Sequence, residues 1–164
     1  MIVISDTTPI ITLMKLERLE LLRDMFAEIT IPEAVYAELT NDLRFLKETE
    51  TIRHADYIHV AAALDRHEVN RVMEAERLDR GESEAILLAK RLNADILLMD
   101  EARGRSAAKS MGISITGTIG VLLSAYQREL LTKADIADCI QKLQYYHRRI
   151  GPQYLQMLMQ LIEN

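Results

Sequence analysis

Four acidic residues stand where chemistry could be done: Asp6, Glu38, Glu84 and Asp100. Asp6 closes the apolar run VIS, and Asp100 closes the apolar run ILLM. Glu84 falls in the first turn of a helix opened by Asp79-Arg80-Gly81-Glu82, just ahead of the Asp100 strand. Glu38 lies on the helix PEAVYAELT. Carboxylates held ~4 Å apart repel by roughly 4 kcal/mol per pair at an effective dielectric of about 20. A hard divalent cation such as Mg²⁺ or Mn²⁺, which prefers oxygen ligands and keeps several waters, would relieve that repulsion. Such an ion can hold a phosphodiester and activate a water for in-line attack.

Each acid also has a plainer use. Asp6 or Asp100 could cap the helix that follows it. Glu38 alone reads as a solvated helix residue. Acids near a helix start gain about 0.3–1 kcal/mol from the macrodipole, so Glu82, with Asp79 as cap, reads first as a capping residue. Glu84 is evenly balanced between the two uses.

Other chemistries lack their signatures. His54, His59, His67 and His147 show no HxH or HxxxH spacing, and the single Cys139 gives no zinc motif. No GxxxxGK[ST] or GxGxxG occurs. Cys139 excludes an internal disulfide and reads as a small core residue. The glycines of TGTIG suit a turn and close packing at a helix start, while its threonines could bond a ligand or a metal-bound water. Arg103, Arg105 and Lys109 could meet a phosphate backbone, although a solvated helix face is the stronger reading for most of them.

These residues need elements to hold them. Ile2 to Ser5 reads as a strand, with Thr7 or Thr8 as N-cap and Pro9 at the first helical position of TPIITLMKL. A second helix follows in ERLELLRDMF, then a strand in EITIP, residues 28 to 32, and a helix opened by Pro32. Residues 41 to 55 read as a peripheral helix, YIHVAAA as an edge strand, and LDRHEVNRVMEAERL as a surface helix. SEAILLAKRLN runs helical to near Asn93, Ile96 to Met99 forms a strand, and ARGRSAAKSMG is a helix stopped by Gly112. ISIT is a short strand, and GTIGVLLSAYQREL, TKADIADCIQKLQYY and PQYLQMLMQLIE are helices. Strands alternating with helices through short connections indicate an α/β domain with a mostly parallel sheet. The expectation is a single domain over 1–164, with a core of about 1–130 and C-terminal helices over about 131–164.

At 164 residues, 49% apolar and 27% charged, the chain can bury a core of ordinary size without staples. The net charge of −5 argues against a surface coated in basic residues for non-specific nucleic-acid binding, and a site built of carboxylates would itself make the chain acidic. No charged segment followed by a long apolar run opens the chain, and no run approaches the ~20 apolar residues of a membrane span. The expectation is a cytoplasmic protein that does not meet the membrane.

Together "VISDTTPI", "IPEAVYAEL", "DRGESEAILLA", "ADILLMDEARGR" and "GISITGTIGVLL" resemble the PIN-domain family, metal-dependent ribonuclease-like proteins that include the VapC toxins of toxin–antitoxin pairs. The last segment is closest to a PIN-like branch often left uncharacterised. The resemblance covers roughly residues 1 to 130. It implies a three-layer α/β/α fold with Asp6, Glu38, Glu84 and Asp100 in a cluster binding Mg²⁺ or Mn²⁺, and Thr7 as a supporting hydroxyl. It further implies an RNA substrate, an antitoxin partner and a homodimer. Glu84 stands where many of the toxins carry Asp, and Glu101 beside Asp100 could substitute or assist. A binding module that holds RNA without cutting it, and a nuclease of RNA processing, are the alternatives. Phosphoryl transfer on an aspartate ranks last, because Thr8 occupies the position of a second acid.

Overall fold

The computed structural model describes residues 1–146 and 152–163; His147 lies outside them. The elements follow the expected alternation. They are β1 (Val3–Ser5), α1 (Thr7–Lys15), α2 (Leu21–Phe26), β2 (Ile29–Ile31) and α3 (Glu33–Thr40), then a 3₁₀ turn (Leu43–Phe45), α4 (Leu46–His54) and β3 (Ile58–Val60). The second half runs α5 (Arg66–Glu76), α6 (Arg80–Arg91), β4 (Ile96–Leu98), α7 (Ala102–Ser110), β5 (Ile115–Thr116), α8 (Thr118–Gln127), α9 (Lys133–Tyr145) and α10 (Pro152–Glu163).

The five strands form one sheet in the order β3-β2-β1-β4-β5, with every pair parallel. The residues explain why the sheet is covered on both sides. Successive strand side chains point to opposite faces. Val3 and Leu98 join a core with Ile10, Leu13, Leu22, Val35 and Leu122, from helices on one face. Ile4 and Leu97 join Ile86, Leu88, Ala107 and Ala108, from α6 and α7, on the other. The result is the expected three-layer α/β/α sandwich. β3 is an edge strand, as expected, shorter than YIHVAAA, and all three of its residues pair with β2.

Local chemistry sets several of the helix ends. Asp79 and Glu82 form a reciprocal capping box at the start of α6, and Thr132 and Asp135 do the same for α9. Gly112 stops α7 with φ +75°, a conformation that costs glycine little. The start of α1 differs from expectation. Asp6, not a threonine, holds the N-cap position, and Thr7, Thr8 and Pro9 fill the first turn. Pro9 still fits, because the first-turn N–H groups have no partner within the helix.

The last two helices are tied to the rest. Ile136, Cys139, Ile140 and Leu143 of α9 and Leu158 of α10 are buried in the larger core cluster, so Cys139 is the core residue expected of it. Arg18 bonds Asp135 at 2.9 Å, and Lys142 bonds Glu17 at 2.7 Å, fastening α9 to the end of α1. No helix among the described residues is long and apolar enough to cross a membrane.

Candidate active site

The strand order fixes where a ligand can sit. From β1 the chain steps outward to β2 and β3 on one side, and to β4 and β5 on the other. Such a reversal leaves a crevice beyond the carboxyl ends of the two central strands, here β1 and β4. They are held in register, Ser5 opposite Leu98, and the Asp6 amide donates to the Leu98 carbonyl at 3.0 Å. Asp6 and Asp100 therefore leave neighbouring strands at the same edge.

Asp6 is 3% exposed. Although it holds the N-cap position of α1, its side chain makes no capping hydrogen bond. Burial pushes its carboxyl up to about 7; the Thr7 amide pulls the other way, and Asp79, Glu82 and Glu38 push it further up. This carboxyl is desolvated and ringed by like charge.

Glu38 is exposed as a residue, yet its carboxyl is tucked against the start of α6. A Cβ built on Gly81 would lie 2.6 Å from Glu38 Oε1 and 3.6 Å from Asp79 Oδ1. Partial enclosure raises the pKa of Glu38, as do Asp79 and Glu84, while the Thr7 hydroxyl opposes the rise. That hydroxyl is buried and faces Glu38 without closing a hydrogen bond of good geometry. Glu82 is also pushed up, first by burial, with Asp79, Glu101 and Glu38 adding to it against the opposing Asp79 amide.

Glu84 and Asp100 are engaged elsewhere. Glu84 is buried, and its Oε2 accepts from the Ala34 amide at 2.9 Å, capping the first turn of α3 across the helix interface. Arg80 lies 3.8 Å from its other oxygen. Asp100 accepts from the Thr118 amide and the Thr118 hydroxyl, each at 2.7 Å. It thus caps α8, not the helix that follows it. Gly117 permits this approach, since a Cβ there would sit 2.6 Å from Asp100 Oδ1. The TGTIG segment serves close packing as expected, and its Thr118 bonds an acid of the crevice. Arg105 donates to the Met99 carbonyl at 2.9 Å, and Arg103 to the Arg77 carbonyl at 3.1 Å.

The structure therefore groups Asp6 with Glu38, and Glu38 in turn with Glu84. It holds Asp100 at the adjacent strand end. It also adds Asp79 and Glu82, which the sequence presented only as caps. The capping box is real, but it stands over the end of β1, so the same two acids face Asp6.

A family model described as a PIN domain matches residues 2–164. The chain belongs to the PIN-domain family. No curated protein and no solved structure matches it. PIN domains are generally nucleases that bind RNA, and they typically use divalent metals. In this PIN domain the donors at the crevice suit such an ion in kind. They are carboxylates and an unpartnered buried hydroxyl, all oxygen, and burial first, with mutual repulsion adding to it, raises the proton affinity of three of them. In the arrangement seen, no three Asp, Glu, His or Cys side chains among the described residues close tightly enough to hold an ion. The acids line the crevice without meeting at one point.

Proposed function

We propose that this PIN domain is a divalent-metal-dependent endoribonuclease and the toxin of a toxin–antitoxin pair, working as a homodimer in the cytoplasm. The observation that carries the reading is Asp6. It is a buried, uncapped carboxyl at the β1/β4 switch point, surrounded by Glu38, Asp79 and Glu82. A buried acid among other acids costs stability unless a cation or a proton neutralises it, so such a constellation marks a functional site. The toxin role rests on the likeness of the quoted motifs to that branch of the family.

Asp6 and Glu38 would hold Mg²⁺ or Mn²⁺, with Asp100 from the neighbouring strand end and Glu84 or Glu82 from α6 completing the set. A bound ion of this kind supplies charge neutralisation at the phosphodiester and a water of lowered pKa. The chain itself keeps Asp6 dry, aims the acids at one crevice, and fixes Asp100 through Thr118. Thr7 offers a hydroxyl beside Glu38 that can bond a water or a phosphate oxygen.

The test is cleavage of single-stranded RNA by purified protein with Mn²⁺. Cleavage should fall to background with a chelator and with Asp6→Asn. Wild-type cleavage by Asp6→Asn would sink the assignment.

One observation favours a second reading, a PIN domain that holds RNA without cutting it. Glu84 and Asp100 both serve as helix caps, which is reason enough for their presence. Calorimetric titration with Mn²⁺ separates the two. A nuclease gives heat that disappears in Asp6→Asn, and a silent module gives none.

A further inference from the structure

Beside the acid crevice lies an open cleft of about 750 Å³ that the acids do not explain. It is within the size range of small-molecule and cofactor sites. Thr8, Thr12 and Lys15 form one wall, spaced so that they share a face of α1. Tyr146 and Tyr154 line it too, from the end of α9 and from α10. Arg105 and Asp100 stand at the rim next to the carboxyl end of β4. The cleft and the acid crevice therefore share Asp100, and Thr8 lies two residues beyond Asp6.

Resting on the nuclease reading above, we propose that this cleft is the subsite for a nucleotide of the single-stranded RNA next to the scissile phosphate. Its lining matches the parts of a ribonucleotide. Tyr154 is 40% exposed and offers a ring face on which a base stacks without regard to sequence. Lys15 sits 5.2 Å from the Tyr146 ring centroid, so cation and aromatic surface are presented together. Arg105 has one of its N–H groups on the Met99 carbonyl and keeps further donors for a phosphate at the rim. Thr8 also lines the cleft, and its hydroxyl is of the kind that bonds a ribose with its 2′-hydroxyl. A purely apolar helix or peptide would leave the Thr8 hydroxyl and the Arg105 guanidinium unmatched. A duplex, with its bases already stacked on one another, would present none to Tyr154.

The test uses a fluorescein-labelled single-stranded RNA hexamer of mixed sequence, followed by anisotropy in EDTA so that no cleavage occurs. Wild-type protein should bind it, and bind the same sequence as a duplex at least about tenfold more weakly. Tyr154→Ala should weaken hexamer binding about tenfold, and Tyr154→Phe, which keeps the ring, should restore it. Arg105→Gln should weaken binding and flatten its salt dependence. With Mn²⁺ restored, Tyr154→Ala should redistribute the positions cut in a longer RNA. Wild-type affinity in both Tyr154→Ala and Arg105→Gln overturns the proposal. So does a folded wild-type protein that ignores the hexamer, which would leave the cleft to a polypeptide partner. Cleavage by Asp6→Asn, at a residue that does not line the cleft, is read separately from hexamer binding. If that variant still cleaves RNA, the nuclease assignment fails by itself while the binding result is judged on its own.

Discussion

Asp6 is a carboxyl group better suited to its proton than to its charge. Unfolded, it ionises near 3.8; folded, burial and three acid neighbours raise it to about 7. Between those values the folded chain keeps a proton that the unfolded chain has released. Stability from this group is therefore fully present below about pH 4 and is lost as pH rises through 7. Three powers of ten in proton affinity correspond to on the order of 4 kcal/mol, an upper bound once the site relaxes. Glu38 and Glu82, also raised, act with the same sign. Urea unfolding of the metal-free protein should show stability falling from pH 5 to pH 8. Asp6→Asn should flatten that slope and be the more stable protein at pH 8. A divalent ion held there would compete with the proton for the same oxygens. The rise in melting temperature on adding Mn²⁺ should therefore grow from pH 6 to pH 8 and vanish in Asp6→Asn.

At the scale of elements, acids in this chain do two things at once. Glu84 closes the start of α3, and Asp100 closes the start of α8, so neither can be removed without cost to the fold. Glu84→Ala strips the Ala34 amide of its acceptor and should destabilise by about 1–3 kcal/mol in a denaturant melt. Thr118→Val removes one of two bonds to Asp100 and should cost about 1 kcal/mol while loosening that carboxyl. Gly81→Ala separates site from stability most cleanly. Alanine favours the helix by up to about 1 kcal/mol, yet its Cβ would collide with the Glu38 carboxyl. The variant should melt at or above the wild-type temperature and bind Mn²⁺ more weakly.

The order of elements and the placing of Asp6 and Asp100 at strand ends were legible in the sequence, because apolar runs and their terminating acids are local signals. What Glu84 and Asp100 bond was not, because it depends on which helix start lands opposite each carboxyl. The Ala34 partner of Glu84 lies 50 residues away, and the Thr118 partner of Asp100 lies 18 away. The double use of Asp79 and Glu82 was hidden for a related reason. Capping reads from spacing alone, whereas facing Asp6 requires knowing that α6 begins over β1.

For the whole molecule, the larger core cluster runs from β1 through α1, α3 and α8 into α9 and α10. Leu158 of α10 is fully buried there, while Met159 beside it is 40% exposed. Leu158→Ala should lower stability by about 2–5 kcal/mol and shift a single unfolding transition, with Met159→Ala near neutral. Two separate transitions in calorimetry would show that the C-terminal helices unfold by themselves.

The strand order also governs when the molecule becomes able to act. β1 precedes its partner β4, which begins only at Ile96, and the contacts that close the crevice span nearly the whole interval between them. Contacts between such distant segments form slowly and late in folding. A chain still emerging from the ribosome can pair β1 with β2, yet it has no second strand end to face Asp6. Until the segment from α6 to α8 has arrived and packed, there is no crevice in which an ion or an RNA could be held. An unfinished copy has no assembled site.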